Sequence, residues 1–523
     1  RILQKAIHGS YAKLLDKALK HPKTTIVIAV VIFVGSLFLT KVVGSSLFPA
    51  SEKPQFLVDI NAPLQSNIYY TDSLTREIEK ELKKIPEVQY FSSNVGKGNP
   101  RIYYNVTQRN EQSDFAQIFV QLYPDVNPTK KLEIIEALRK KWTPYLNAKV
   151  NVVNFEQGQA MTAPVEVRLM GENLDTLRSI AAQFEKIVGT TSGTTYTDNP
   201  VKNLKSDIRI EINKEKAQSL GVAIPSISRT VRMAVAGLNL GTFSNPNAKN
   251  EDYDIVLSTN RPYYPSLNVL NNVYVNANNG TPVPLSQLAN IHFETTQQSI
   301  NHYNKSRTVS VTAFVKNGFL NTDVINSVDA NLQKVKLPEG YSYTMAGEMD
   351  NKKDSFEGFG SVILVVAFMF IAVLVLQFKT FKSTLIVLSV IPLGIVGAVL
   401  ALLVTGNTMS FVATVGIIAL AGIEVKNTIL LVDFTNQLRE QGMELNQAIE
   451  EAGEQRFLPI ILTTLTAIGG LLPIAWSSNP LISPLAIVMI GGLITSTLLS
   501  RIVTPVVYKL IPPKLEVKGK AEH

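Results

Sequence analysis

Residues Gly416–Phe434 read GIIALAGIEVKNTILLVDF. A run of roughly 20 mostly apolar residues is the length a helix needs to cross the hydrocarbon of a bilayer. This run carries Glu424, Lys426 and Asn427 near its middle. An uncompensated ion at that depth costs about 2.5–3.5 kcal/mol on insertion scales, so it normally faces a partner or a hydrated cavity. The stretch therefore marks both a membrane span and a candidate working site. Asp433, near its end, is placed to reach water.

Working outward, the hydropathy pattern predicts five further spans. They are Thr24–Val43, Gly358–Leu376, Thr384–Val404, Phe457–Trp476 and Ile482–Tyr508, with the quoted helix extending over about Met409–Phe434. The layout is one span, a long polar region, then five spans. Basic residues in short flanks mark the cytoplasmic side. They are Arg1, Lys5, Lys13, Lys17, Lys20 and Lys23 ahead of the first span, Lys379 and Lys382, Arg439 and Arg456, and Lys509, Lys514, Lys518 and Lys520 in the tail. The short links Thr405–Thr408 and Ser477–Leu481 carry none. All the basic flanks fall on one side, so the polar region faces outward. The formal net charge of +8 thus lies at the membrane edge, which argues against nucleic acid as a partner.

Small residues recur within the spans: Gly394, Gly397 and Ala401; Gly416, Ala419 and Gly422; Gly469 and Gly470; Gly491 and Gly492. Such spacing lets helices approach closely. Leu445, Ala448, Ile449 and Ala452 alternate at helical period with glutamates, predicting an amphipathic cytoplasmic helix over residues 436–455.

In the polar region, Phe56–Ile60, Arg101–Val106, Ala116–Leu122 and Val150–Phe155 read as strands, with helix stripes at Leu74–Leu82 and Leu132–Trp142. That order is βαββαβ, the split βαβ or ferredoxin-like arrangement. A second copy runs from Val165–Met170 through a helix to Ser206–Ile212. It resumes at Thr308–Val315 and closes with a helix near Asp323–Val335 and a strand at Tyr341–Ala346. The interruption reads as an inserted subdomain with strands at Asp252–Leu257, Val273–Val275 and Ile291–Phe293. The expected fold is an α+β membrane protein: a six-helix bundle in a 1+5 layout with two such units. The expected boundaries are 1–23 (leading segment), 24–43 (first span), 44–162 (first unit), 163–213 with 295–355 (second unit), 214–294 (insertion), 356–508 (five spans) and 509–523 (tail).

There is no cysteine, so no disulfide, and the five histidines are scattered. No metal-ligand spacing, nucleophile elbow, phosphate loop or dinucleotide fingerprint is present. Enzyme activity and a bound cofactor are not expected. The informative residues are those inside the membrane: Lys426, Asn427, Arg456, Thr463 and Thr464. Arg456 and Thr463 stand seven apart, two turns along one helix face. Two readings of Lys426 compete. It is either interhelical glue or half of a switchable ion pair. Glu424 is a poor partner because residues two apart on a helix do not face each other.

Three stretches, IEINKEKAQSLGV (Ile210–Val222), GIEVKNTILLVDF (Gly422–Phe434) and RFLPIILTT (Arg456–Thr464), resemble the resistance–nodulation–division (RND) exporters, specifically the hydrophobe/amphiphile drug-efflux branch. The resemblance covers the chain as the carboxyl-terminal of that family's two homologous halves. It implies a homotrimer in a Gram-negative inner membrane, with the βαββαβ units as periplasmic porter subdomains and the insertion as a docking subdomain. It also implies three kinds of partner: the amino-terminal half, a periplasmic adaptor and an outer-membrane channel. Small amphiphiles would leave in exchange for protons. The proton gradient takes the place of any cofactor. Lys426 would pair with two aspartates on the other half, with Asn427, Arg456 and Thr463 along the same proton route.

The resemblance further implies an aromatic substrate pocket bordered by Tyr90–Tyr104, with Tyr90, Phe91, Tyr103 and Tyr104 as candidates; the alternative is that Tyr103 and Tyr104 pack a strand. For the heavy-metal branch, methionines are expected in the cleft, and Val222 stands where one would be. Glu424 keeps that branch open as an alternative, as does a non-transporting scaffold or sensor.

Overall fold

A computed structural model of the chain describes residues 11–244, 252–258 and 268–515. Arg1, Lys5, Lys518 and Lys520 of the basic flanks lie outside these. The chain divides into two compact units, one up to Pro200 and from Asn301 onward, the other Val201–Ile300. In the first, α1 (Ala12–Lys20) precedes the apolar α2 (Pro22–Val43). Pro22 opens α2, where its missing N–H is no loss.

The first sheet unit runs β1 (Gln55–Asn61), α3 (Ile68–Leu82), β2 (Val88–Val95), β3 (Phe115–Leu122), α4 (Pro128–Trp142) and β4 (Lys149–Asn154). Strand order is β2-β3-β1-β4, all pairs antiparallel. Period-two alternation sends Phe56, Val58 and Ile60 to the helix-covered face, against Leu74 and Ile78 of α3 and Ile135 and Leu138 of α4. Asn67 and Asn127 cap the two helices, their side-chain oxygens accepting from Tyr69 N and Lys130 N. The strand expected at Arg101–Val106 is irregular backbone, and β2 takes its place. Gly96, Gly98 and Pro100 break the run, and Asn99 ties it over the open sheet face by donating to Gln117 Oε1 at 2.9 Å.

The second sheet opens with β5 (Val165–Met170), α5 (Leu174–Thr190) and β6 (Thr194–Asp198). Next in sequence is the other compact unit: β7 (Leu204–Ile212), α6 (Ile224–Val235), the β8 (Leu238–Ser244) and β9 (Asp252–Leu257) hairpin, β10 (Tyr274–Asn276), β11 (Pro282–Pro284) and β12 (Ala289–Gln297). β7 pairs with β12 over their full lengths, around a core of Val222, Ile227, Leu285 and Leu288. The second sheet resumes with β13 (Asn301–Tyr303), β14 (Ser306–Val315), α7 (Asn321–Leu332) and β15 (Ser342–Gly347). Its order is β13-β14-β5-β15, with β6 also on β14. The expected strand Ser206–Ile212 thus belongs to β7 and the inserted unit, and β6 fills its place. Ile208, Ile210 and Ile212 alternate convincingly, but alternation identifies a strand and not its sheet. TTYTD of β6 has no apolar alternation at all.

The remaining described elements are helices: α8 (Glu348–Phe356), α9 (Phe359–Phe378), α10 (Phe381–Leu388), α11 (Ile391–Thr405), α12 (Phe411–Glu440), α13 (Leu445–Gln455), α14 (Phe457–Ala475) and α15 (Ser483–Leu510). Among the described residues, six helical stretches are long and apolar enough to cross a membrane: Pro22–Val43, Glu348–Phe378, Phe381–Thr405, Phe411–Glu440, Phe457–Ala475 and Ser483–Leu510. The third is broken between α10 and α11, where Pro392 withholds a backbone donor.

α11, α12 and α15 form the interior of the bundle, and α2, α9 and α14 are far more exposed. Gly397 of α11 and Gly491 of α15 meet backbone to backbone; a methyl on either would run into the other's carbonyl oxygen. Gly422, Gly469 and Gly470, expected to pack likewise, have nothing within 4 Å of a would-be Cβ. Leu15 and Leu19 of α1 share a cluster with Ile449 of α13 and Val503 and Tyr508 of α15, so the two amphipathic helices cover the same end of the bundle.

Candidate functional site

α12 is capped by Ser410, whose hydroxyl accepts from Ala413 N at 3.1 Å, and then runs unbroken past its charged centre. Continuous helix turns Glu424 and Lys426 to different faces. Glu424 is 2% exposed and points into this chain's own bundle. Lys426 is exposed, and with Gly422 and Leu430 it forms a stripe at four-residue spacing that the described residues leave uncovered. Asn427 is half-buried beside it.

α14 repeats the pattern. Thr463 is exposed, its hydroxyl returning to Ile460 O at 2.9 Å, while Thr464 is buried and shares a 3.1 Å hydroxyl contact with Thr497 of α15. Thr464 is therefore an interhelical contact and not part of the exposed face. Arg456 is half-buried. Its guanidinium lies 4.6 Å over the Phe434 ring of α12, and its Nε is buried without a hydrogen bond. Among the described residues Lys426, Asn427 and Thr463 share no hydrogen bond or ion pair. Two exposed faces, each bearing one sequence-predicted residue, are left open.

One intramembrane group went unweighted in the sequence. Arg501 of α15 is 7% exposed, donates to Thr497 O at 3.1 Å and Phe457 O at 3.0 Å, and lies 4.1 Å over the Phe457 ring. Its position inside an apolar run was a readable signal. Glu424 was visible too, but its burial was not.

The four aromatic candidates of the first sheet unit do not line one surface. Tyr90 and Phe91 are neighbours on β2 and point to opposite faces. Tyr90 is 54% exposed, whereas Phe91 packs against the helix-side core. Tyr103 is buried on the other face, stacked on Phe155 at 4.7 Å with Leu57 and Phe119 around it. Tyr104 is exposed and its hydroxyl accepts from Gly158 N at 2.6 Å. Tyr103 packs the sheet, and Tyr90 and Tyr104 are the accessible pair.

At the connector between α2 and β1, the buried Lys131 amine donates to the carbonyls of Ser51 and Lys53. Burial pulls Lys131 down to about 8. Burial, reinforced by Glu348, pushes the nearby Glu156 carboxyl up to about 7. On the open face, burial also raises Asp59, against the opposing pull of Arg109. Among the described residues no group of three or more His, Cys, Asp or Glu is placed to hold a metal ion.

Six membrane-length helices in a 1+5 layout, two βαββαβ sheets and a charged central helix define a multi-pass membrane protein of the permease type. A family model described as AcrB/AcrD/AcrF matches residues 1–512, and the chain belongs to that family of RND permeases. It is 26% identical over 527 residues to the nickel-cobalt-cadmium resistance protein NccA of Alcaligenes xylosoxydans xylosoxydans, an alignment covering 97% of this chain and 48% of that one. Two crystal forms of a heavy metal efflux pump share the fold. Their TM-scores are 0.79 and 0.76 at 20% and 19% identity, covering 96% of this chain and 51% and 52% of those chains. The chain spans about half the length of these relatives. None of these three is a drug exporter by name, so the expectation of the hydrophobe/amphiphile branch finds no support among them.

Proposed function

We propose that this chain is the carboxyl-terminal half of a proton-driven RND exporter, and that its cargo is a divalent transition-metal cation. The observation that carries the first part is Lys426, a cation in a membrane helix on a face this half leaves open. Such a charge demands a counter-charge from elsewhere, and a second half bearing carboxylates supplies one. Proton binding to those carboxylates would release the pair and repack the helices. Thr463 and Arg456, on and at the start of α14, extend the same route, with Asn427 beside it. The predicted orientation puts the sheet units in the periplasm, the second carrying a docking insertion. A homotrimer with a periplasmic adaptor and an outer-membrane channel completes the assembly.

The choice of cargo rests on what the relatives are named for, and it replaces the amphiphile reading. This half's described residues hold no three-ligand cluster. The cargo site therefore draws on the other half, or on amide and carbonyl oxygens. The test is resistance to nickel, cobalt and cadmium salts, and to amphiphilic dyes, in cells expressing the complete transporter. Lys426→Ala and Thr463→Ala should abolish resistance while the protein still assembles in the membrane. Unchanged resistance in both variants at normal expression would reject the proton route. Protection against dyes but not metals would restore the amphiphile reading.

A further inference from the structure

Glu424 is not used by the route through Lys426. It lies on another face of α12, enclosed by this half alone, and both its carboxylate oxygens are buried without a well-formed hydrogen bond. Ser496 of α15 stands beside it, but that hydroxyl is shared with Leu493 O at 3.4 Å. On the α11 side the carboxylate fills the space a side chain would take at Gly394; a methyl there would collide with it. The site is thus a notch built for a carboxyl group, and among the described residues no basic side chain is paired with it.

The charged and titratable groups on every helix packed against α12 are engaged or lie away from the notch. α11 has none. Lys382 of α10 donates to Pro512 O, and Lys509 of α15 to Leu19 O. Arg501 is held by Thr497 and Phe457 carbonyls, Tyr508 donates to Asn436, and Arg456 at the head of α14 lies over Phe434, ten residues past Glu424. Glu450, Glu451 and Glu454 belong to α13, at the end covered by α1. On α12 itself, Lys426 diverges from Glu424, and Asp433, Arg439 and Glu440 lie two or more turns on. An ionised carboxylate without a partner at such a depth is strongly disfavoured, and a neutral acid is not.

We propose that Glu424 is a second proton-carrying carboxyl of this half, separate from the Lys426 face, holding its proton while seated against Gly394 and releasing it when α11 and α15 move apart. Its coupling to export rests on the proton-driven reading above; its protonation does not.

Infrared difference spectroscopy of the complete transporter in liposomes tests protonation directly. A protonated-carboxyl band should be present in the parent, vanish in Glu424→Gln, and shift in Ser496→Ala, which leaves the backbone packing alone. Identical bands in parent and Glu424→Gln would overturn the proposal. For coupling, the steepest cargo gradient sustained per pH unit should drop about tenfold in Glu424→Gln, the factor carried by one proton per unit. Glu424→Asp should retain most of it. An unchanged gradient in Glu424→Gln would reduce Glu424 to a packing residue. A parent with no proton-driven gradient would instead refute the exporter reading and leave the spectroscopic result standing.

Discussion

The carboxylate of Glu348 accepts a hydrogen bond from Leu47 N at 3.4 Å and another from Asn321 Nδ2 at 2.5 Å. Leu47 lies on the connector leaving α2, and Glu348 opens the helix that leads from the second sheet into the second span. One side chain therefore ties together both passages between membrane helices and sheets.

Glu348→Ala should weaken that junction by about 1–3 kcal/mol, the range for leaving a buried hydrogen-bond partner unsatisfied. Glu348→Gln keeps an acceptor oxygen and should lose less. Limited proteolysis within residues 44–54, alongside the apparent Tm of the detergent-purified protein, reads the effect. Equal resistance to protease in parent and Glu348→Ala would mean the connector is held by other contacts.

Lys131 and Glu156 make stability depend on pH in opposite senses. Glu156 is raised to about 7 in the fold, so the native state holds its proton more tightly than the unfolded chain. Its contribution is complete below the ordinary carboxyl range and is lost as pH rises toward 7. Lys131 is lowered to about 8, so its unfavourable contribution below that value is relieved as pH climbs toward the ordinary lysine range. Glu156→Gln should leave the apparent Tm unchanged below the ordinary carboxyl range and raise it above neutrality, where the gain in stability is on the order of 1–3 kcal/mol. A lower Tm in Glu156→Gln at alkaline pH would show instead that the ionised group is favourably paired.

How much was legible depended on whether a residue's role is local. Six spans could be read because each is a continuous apolar run, and most of their ends fall within a few residues of the helices observed. Lys426 and Thr463 stood out for the same reason: a polar group in hydrocarbon is conspicuous in one dimension. Partners are not. Nothing local distinguishes Gly491, pressed against Gly397, from Gly470, where an added methyl would meet nothing within 4 Å. Nor could sequence tell that Glu424 turns inward while Lys426 turns out, because that depends on which faces the neighbouring helices cover. β6 was missed because edge pairing to β14 needs no apolar alternation. Tyr103 read as a strand residue because stacking on Phe155 requires an aromatic, whatever the backbone does.

The glycines supply a test of which faces are complete. Gly491→Ala should lower the folded yield and apparent Tm, since its methyl has no room between Ala401 and the Gly397 carbonyl; overpacking costs about 1–3 kcal/mol. Gly469→Leu and Gly470→Leu should leave this half's own packing intact. If their faces receive the other half, they should reduce its association, measured by crosslinking or co-purification in the complete transporter. Undiminished association in both would assign that face to lipid.

Tyr90 and Tyr103, neighbours in expectation, should separate cleanly. Tyr103→Ala removes a stacked, buried ring and should cost about 3 kcal/mol, near the low end for deleting a core aromatic. Its effect on export would then follow from protein abundance. Tyr90 is over half exposed, so Tyr90→Ala should stay within about 0.5 kcal/mol of the parent. A loss of resistance in Tyr90→Ala at parental abundance and Tm would place the cargo path along the outer face of β2. Full resistance there, with loss only in Tyr103→Ala, would leave the aromatics of this sheet with packing as their work.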